Sequence, residues 1–370
     1  MPLVPKAVQN LTPYSPGKPI EEVRRELGLE TVIKLASNEN AWGASPLALA
    51  AIRDSLAGIH RYPDMSARAL REALAERFDV ALENVVVGSG SEGIMATIMR
   101  TFLCDDDELL TAANTFVGFL VLAHASGRRL TLVPRRPDHR YDLAAMAGAL
   151  GERTKIVYLA NPDNPTGTIF TRDEFDAFMA KVPERTLVIY DEAYFEFASG
   201  DPLFPDSMSY RYDNVITLRT FSKAYGLAGL RIGYGFAHGD LVGNLLKVKL
   251  PFEPSVPAQA AGLAALADRD FLARTLAGTA AGKAVLREGL ERHGFEPLPS
   301  RANFLAVPTE GPAFCEDLCR RLLERGAVVR PLRAFGFPDC FRVTVGTPEE
   351  NAFFLEALDA ALAEDGAGRP

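Results

Sequence analysis

The sequence predicts an α/β protein, with a large domain built on a mostly parallel sheet flanked by helices and a smaller α+β domain after it. Three observations carry the prediction. Short apolar runs alternate with helical patterns from about residue 66 to residue 236. After Pro251-Phe252-Glu253-Pro254 the composition shifts to a long Ala-rich helical stretch. The chain has 370 residues, of which 48% are hydrophobic, which is long for one compact core and ample for two.

Residues 1–29 read as an N-terminal arm: a Pro-rich lead (Pro13, Pro16, Pro19) and a short amphipathic segment, Glu21 to Leu27, that must pack on something else. Residues 30–255 read mainly as the large domain, its first residues packing with the small one, and 256–370 as the small domain. Ser66 is the expected cap of a helix carrying Leu70, Leu74 and Phe78. Val85-Val86-Val87 is a buried strand, and a helix opens at Ser91-Glu92 with Ile94, Ile98 and Phe102 on one side. Further strands are expected at 108–111, 130–133, 156–159, 187–190, 215–218 and 232–236. In the small domain a continuous helical stretch is expected from Gln259 to Leu290. Strands at 304–307, 328–330 and 342–345 and a closing helix, Pro348 to Leu362, complete it.

Composition excludes several functions. Net charge is −8 with no basic run, which argues against nucleic acid as a partner. No stretch approaches the ~20 apolar residues of a membrane span, and no signal-peptide core is visible at the start, so a cytoplasmic protein is expected. Cys104, Cys315, Cys319 and Cys340 are too few for a disulfide framework. Cys315 and Cys319 sit four apart without a nearby His, so they are expected to be free thiols and no metal site is expected.

In open parallel sheets, ligands sit beyond the carboxyl ends of the strands. Here those ends carry Gly88-Ser89-Gly90-Ser91, Asn161 to Gly167, Asp191, and Thr220 to Lys223. Gly88 to Gly93 spells GxGxxG between a strand and a helix. It reads as a cradle for a single phosphate, as a dinucleotide fingerprint, or as a structural turn. The dinucleotide reading wants an acid near the end of the next strand, and that strand ends in Ala112-Ala113-Asn114. Lys223 lies among hydroxyls and small residues just after an apolar run, where desolvation or a neighbouring cation yields the neutral amine that imine formation needs. Thr220, Ser222 and Arg231 suit a phosphate. Asp191 ends the run Leu187-Val188-Ile189-Tyr190, and a carboxylate buried there wants a cationic partner such as a pyridinium nitrogen. Asn164, on a rigid turn, and Tyr194 are donors suited to a phenolate oxygen.

Together these segments resemble the histidinol-phosphate aminotransferase family of fold-type-I pyridoxal-phosphate enzymes. The resemblance runs nearly end to end, through Leu11-Thr12-Pro13-Tyr14, Ser37-Asn38-Glu39-Asn40, Arg61-Tyr62-Pro63-Asp64, Asn164-Pro165-Thr166-Gly167, Asp191-Glu192-Ala193-Tyr194, Thr220 to Arg231, Asn303-Phe304, Val329-Arg330-Pro331 and Phe341 to Thr347. It implies that Lys223 holds pyridoxal 5'-phosphate as a Schiff base, that Asp191 faces the pyridine nitrogen, and that Asn164 and Tyr194 reach the phenolate oxygen. It implies a phosphate cradle of Gly90, Ser91, Thr220, Ser222 and Arg231, and a stacking ring at Phe116. Tyr62 matches a tyrosine that reaches the neighbouring subunit's cofactor, which implies a homodimer with shared sites. Arg342 and Arg330 match the arginines on the substrate's anionic group, and Tyr14 matches a tyrosine that closes over it.

Three positions depart from the family pattern: Ala41-Trp42 after Asn40, Phe116 where a tyrosine is frequent, and Glu253 after Pro251-Phe252. A carboxylate at Glu253 facing the site would repel a substrate phosphate. Four readings follow: transamination of histidinol phosphate with 2-oxoglutarate, transamination of aromatic or other amino acids, a decarboxylase or lyase on the same cofactor, and a cofactor-binding regulator without turnover.

Overall fold

The structure, a computed structural model, describes residues 3–12, 20–210 and 212–366. Among the described residues, twelve strands follow one another along the chain. They are β1 (Ile33–Lys34), β2 (Val85–Gly88), β3 (Glu108–Ala112), β4 (Arg129–Val133), β5 (Thr154–Ala160) and β6 (Leu187–Asp191), then β7 (Val215–Thr220), β8 (Gly233–Phe236), β9 (Phe304–Pro308), β10 (Ala327–Val328), β11 (Arg330–Pro331) and β12 (Cys340–Thr344).

Seven of them form one sheet in the order β2-β8-β7-β6-β5-β3-β4, in which only β8 runs against its neighbours. Apart from the edge strand β4, these strands are largely buried because both faces are covered. In β5, Ile156, Tyr158 and Ala160 pack with Met95, Ile98 and Phe119 on one face, and Val157 and Leu159 with Phe170, Phe175 and Phe178 on the other. The consequence for function is directional. β2, β5, β6 and β7 all end at one edge, and β8 begins there, with Gly88 paired to Gly233 and Gly233 to Thr220. Five chain segments are thereby brought to one place.

A second, antiparallel sheet has the order β11-β12-β9 and packs on the helices Arg269–Arg292, Pro312–Glu324 and Pro348–Gly366 through Leu286, Leu318, Leu322, Phe341, Val343, Phe354 and Leu358. β1 pairs in parallel with β10, and Val23 of the helix Ile20–Leu27 packs against Val32 and Val328 beside that pair.

Three expectations from the sequence need correction. The stretch Gln259 to Leu290 is two helices, Val256–Ala267 and Arg269–Arg292, because Asp268 accepts from Phe271 N (3.1 Å) and from Ser45 Oγ (2.6 Å) and so caps a new helix. Ser66 does not cap the helix Arg68–Phe78. Asp64 does that work, accepting from Arg68 N (2.8 Å) and Ser66 N (2.9 Å). The expected strand at 328–330 is split, since β10 pairs with β1 while β11 pairs with β12.

Gly233 is where the helix Gly90–Phe102 meets the sheet. A Cβ there would stand 2.5 Å from Ser91 N and 2.6 Å from Gly90 C, both backbone atoms with no freedom to swing aside. Gly233→Ala should therefore lower stability by about 1–3 kcal/mol, read as the thermal midpoint of the cofactor-free protein. An unchanged midpoint would show that this helix start is not seated on β8.

Candidate active site

The residues at that strand edge line a cavity bounded by Ser91, Phe116, Tyr158, Asn164, Asp191, Tyr194, Thr220, Ser222, Lys223 and Arg231, with Glu92 also on its wall. One end of it is built for a small anion. The helix Gly90–Phe102 points its first turn here, Gly90 takes φ +76, and a Cβ on it would lie 2.8 Å from Arg231 Nη2. Only glycine lets the guanidinium come so close to the helix start. Thr220 Oγ1 donates to Ser222 Oγ (3.0 Å), Ser222 N donates to Thr220 Oγ1 (3.1 Å), and Arg231 Nη1 reaches Ser222 Oγ at 3.5 Å.

At the other end Asp191 is buried, accepting from Tyr158 Oη (2.8 Å) and from Ala193 N (3.1 Å). Both donors are neutral. Burial pushes its carboxyl up to about 6, more than these hydrogen bonds offset. The charge of Lys223 lies near enough to favour the ionised form a little. Burial, with Arg342 and Arg231 adding repulsion, lowers the Lys223 amine to about 8. Its Nζ has one long contact, 3.5 Å to Ser37 O, and stands 5.8 Å from the centre of the Tyr194 ring.

The wall between these ends is fixed by contacts that span the chain. Asn38 Nδ2 donates to Tyr194 Oη (2.9 Å), which leaves the phenol proton free to point into the cavity; Thr344 Oγ1 in turn donates to Asn38 Oδ1 (3.0 Å). Asn40 Nδ2 donates to Ala224 O (3.0 Å), bracing the segment that bears Lys223. Arg342 Nη1 donates to Asn164 Oδ1 at 2.5 Å, so the Asn164 amide nitrogen is left to donate elsewhere. Arg342 also donates to Ala36 O (3.0 Å) and lies over Phe304 and Phe335. Arg330 sits directly opposite Arg342 across β11 and β12, and its guanidinium lies 5.4 Å from Phe335. The two arginines thus occupy one face, as their sequence spacing suggested.

Gly90, Ser91, Phe116, Asn164, Asp191, Tyr194, Thr220, Ser222, Lys223 and Arg231 are brought together, and Arg342 joins them through Asn164. Tyr62 is not in this group. It is 78% exposed and stacks on Phe252 with ring centres 4.1 Å apart. Glu253 follows Phe252 on that face, its carbonyl accepting from Lys249 Nζ, and is not among the residues bounding the cavity. Tyr14 lies outside the described residues. Sequence reasoning missed Tyr158, Asn38 and Thr344. For Tyr158 a signal existed, since alternation along β5 puts it on the same side as Ala160. Asn38 and Thr344 stand in segments that carried the resemblance, but no local pattern gave either one a contact in the site.

The family model for aminotransferase class I and II matches residues 30–358. This chain belongs to that family. It is 48% identical over 364 residues to a histidinol-phosphate aminotransferase of Anaeromyxobacter sp. (strain Fw109-5), covering 98% of this chain and 100% of that one. It is 42% identical to a histidinol-phosphate aminotransferase 2 of Carboxydothermus hydrogenoformans, covering 97% and 99%. Among solved structures it resembles a histidinol-phosphate aminotransferase of Sinorhizobium meliloti in complex with pyridoxal-5'-phosphate, with TM-score 0.90, 31% identity and 98% of each chain covered. The aminotransferase fold is therefore a mostly parallel α/β sheet enzyme, as the strand alternation predicted.

The lowered amine gives a direct test. Below about pH 8 Lys223 in the cofactor-free protein is a cation and unreactive; above it the amine is free. Competitive acylation followed by peptide mapping should give Lys223 a midpoint near pH 8. A midpoint near 10.5, the ordinary lysine value, would mean that its burial does not act on it.

Proposed function

We propose that this aminotransferase binds pyridoxal phosphate on Lys223 and moves the amino group of histidinol phosphate to 2-oxoglutarate. The observation that carries the proposal is the pairing of Arg330 with Arg342 across two strands, beside Asn164 and the cavity. A carboxylate is satisfied by one bidentate guanidinium, whereas a doubly charged phosphate uses two. The names of the relatives described above point the same way.

The residues present fit the cofactor. The glycine at position 90 keeps open a cradle that a side chain would fill, and Asp191 is a buried carboxylate whose ionisation a cation opposite it would favour. When bound, pyridoxal phosphate supplies an aldehyde for an amine and a ring that takes up the electron pair left by a departing Cα proton. Asp191 would hold a proton on the ring nitrogen. The Asn164 amide and the Tyr194 hydroxyl would donate to the phenolate oxygen, and Ser91 N, Ser222 and Arg231 would hold the phosphate. With the cofactor bound, the Lys223 amine, near 8, would be poised to take the proton from the substrate Cα and to give it back in the second half of the transfer.

We further infer a homodimer in which Tyr62 serves the partner's site. Tyr62, Phe252, Met65, Ile59 and Leu56 are large apolar residues left exposed close together in sequence or by stacking. With all four cysteines free, action in the reducing cytoplasm is the consistent reading. Among the described residues no helix is long and apolar enough to cross a membrane.

Steady-state assays with 2-oxoglutarate test the donor. Histidinol phosphate should exceed phenylalanine in kcat/KM. Arg330→Ala should cost histidinol phosphate about 1.5–3 kcal/mol, on the order of ten- to a hundredfold, and cost phenylalanine much less. Equal losses for both donors would sink the two-arginine account of specificity.

A further inference from the structure

A buried ion pair stands behind the cavity and bounds none of it. Arg135 Nη2 lies 3.0 Å from Asp163 Oδ2, with side chains only 5% and 1% exposed. A pair so deeply desolvated is poor evidence of a stabilising device, since apolar residues fill such a space as well or better. What distinguishes this one is what it holds. Arg135 donates from Nε to Ala113 O (2.8 Å), from Nη1 to His139 O (2.9 Å), and from Nη2 to Asn114 O (3.1 Å) as well as to Asp163. Asp163 accepts further from Thr115 Oγ1 (3.1 Å) and Thr166 Oγ1 (2.9 Å), and Thr115 Oγ1 meets Tyr141 Oη at 2.5 Å. Two loops are thus locked to each other. One leads through residues 113–115 into Phe116, and the other through Asp163 into Asn164, and both of those residues line the cavity.

The pair also reaches the segment that connects β11 to β12. The Arg135 guanidinium lies 4.9 Å from the centre of the Tyr141 ring and 5.7 Å from that of the Phe337 ring. Phe337 is two residues beyond Phe335, over which both Arg330 and Arg342 lie. Asn164 is therefore held from two directions, its backbone by Asp163 and its side-chain oxygen by Arg342.

We propose that Asp163 and Arg135 are positioning residues that set the Asn164 amide and the Phe116 ring against the cofactor. The proposal rests on the cofactor reading above. Its physical content is that a hydrogen bond donated to the phenolate oxygen weakens that oxygen's hold on the neighbouring imine proton. Displacing Asn164 strengthens the hold and raises the pH at which the bound cofactor's absorbance changes.

The experiment is a spectroscopic pH titration of the loaded protein, with thermal midpoints of the cofactor-free protein measured alongside. Variants are Asp163→Asn, Arg135→Lys, Asn164→Ala, and each of the first two combined with Asn164→Ala. Arg135→Lys keeps the buried charge and gives the answer if Asp163→Asn fails to fold. The two positioning variants should raise the absorbance midpoint by about one pH unit, the scale of a weakened hydrogen bond to a charged oxygen. In the Asn164→Ala background they should raise it no further, because they act through that residue. Lowered thermal midpoints with an unmoved absorbance midpoint would make the pair merely structural and overturn the proposal, as would shifts that add in the double variants. A wild-type protein that takes up no cofactor would overturn the reading beneath it, an outcome distinguishable because no absorbance would then be seen at all.

Discussion

The burial of one carboxylate organises the site. Asp191 ends a central strand with covered faces, and two neutral donors leave its ionisation unfavourable, with a pKa of about 6. The distance from the ordinary range, 3.8, is on the order of 3 kcal/mol. In the cofactor-free protein that penalty is absent at acid pH, where the group is protonated folded or unfolded, and fully felt above about pH 6. A cation opposite the carboxylate removes it. The same burial that penalises Asp191 as an anion penalises Lys223 as a cation, so one desolvated cavity yields both a carboxylate that a cation opposite it would favour and a more readily neutral amine.

The parallel sheet makes this possible because it gathers distant segments at one edge. That part was legible in the sequence, since the central strands were apolar runs and several of the site's polar residues stood at or just past their ends. Lys223, Asp191, Asn164 and the Gly90-Ser91 turn could be placed by counting from the strands. The parts not legible are the contacts between segments. Asn38 reaches Tyr194 and Thr344, and Arg342 reaches Asn164, across separations that leave no local pattern. Ser37 to Asn40 was recognisable as a motif, yet its bracing of Tyr194 and of the Lys223 segment appears only in three dimensions.

The misplaced boundaries have a similar cause. Ala-rich sequence on both sides of Asp268 reads as one helix, and the break depends on Ser45, far away in the chain, donating to the same carboxylate that caps the second helix. At Asp64 and Ser66 two good capping residues compete, and the backbone turn decides for the carboxylate. Tyr62 illustrates the limit of reading one chain: it is exposed and stacked on Phe252, away from the cavity, so its sequence motif did not predict its place.

The account stands or falls on Lys223 as the covalent anchor. Borohydride reduction of the purified, cofactor-loaded protein, followed by peptide mapping, reads this directly. The account predicts a single reduced pyridoxyl adduct on Lys223. An adduct mapped to another lysine, or a loaded protein that borohydride leaves unmodified, would contradict it.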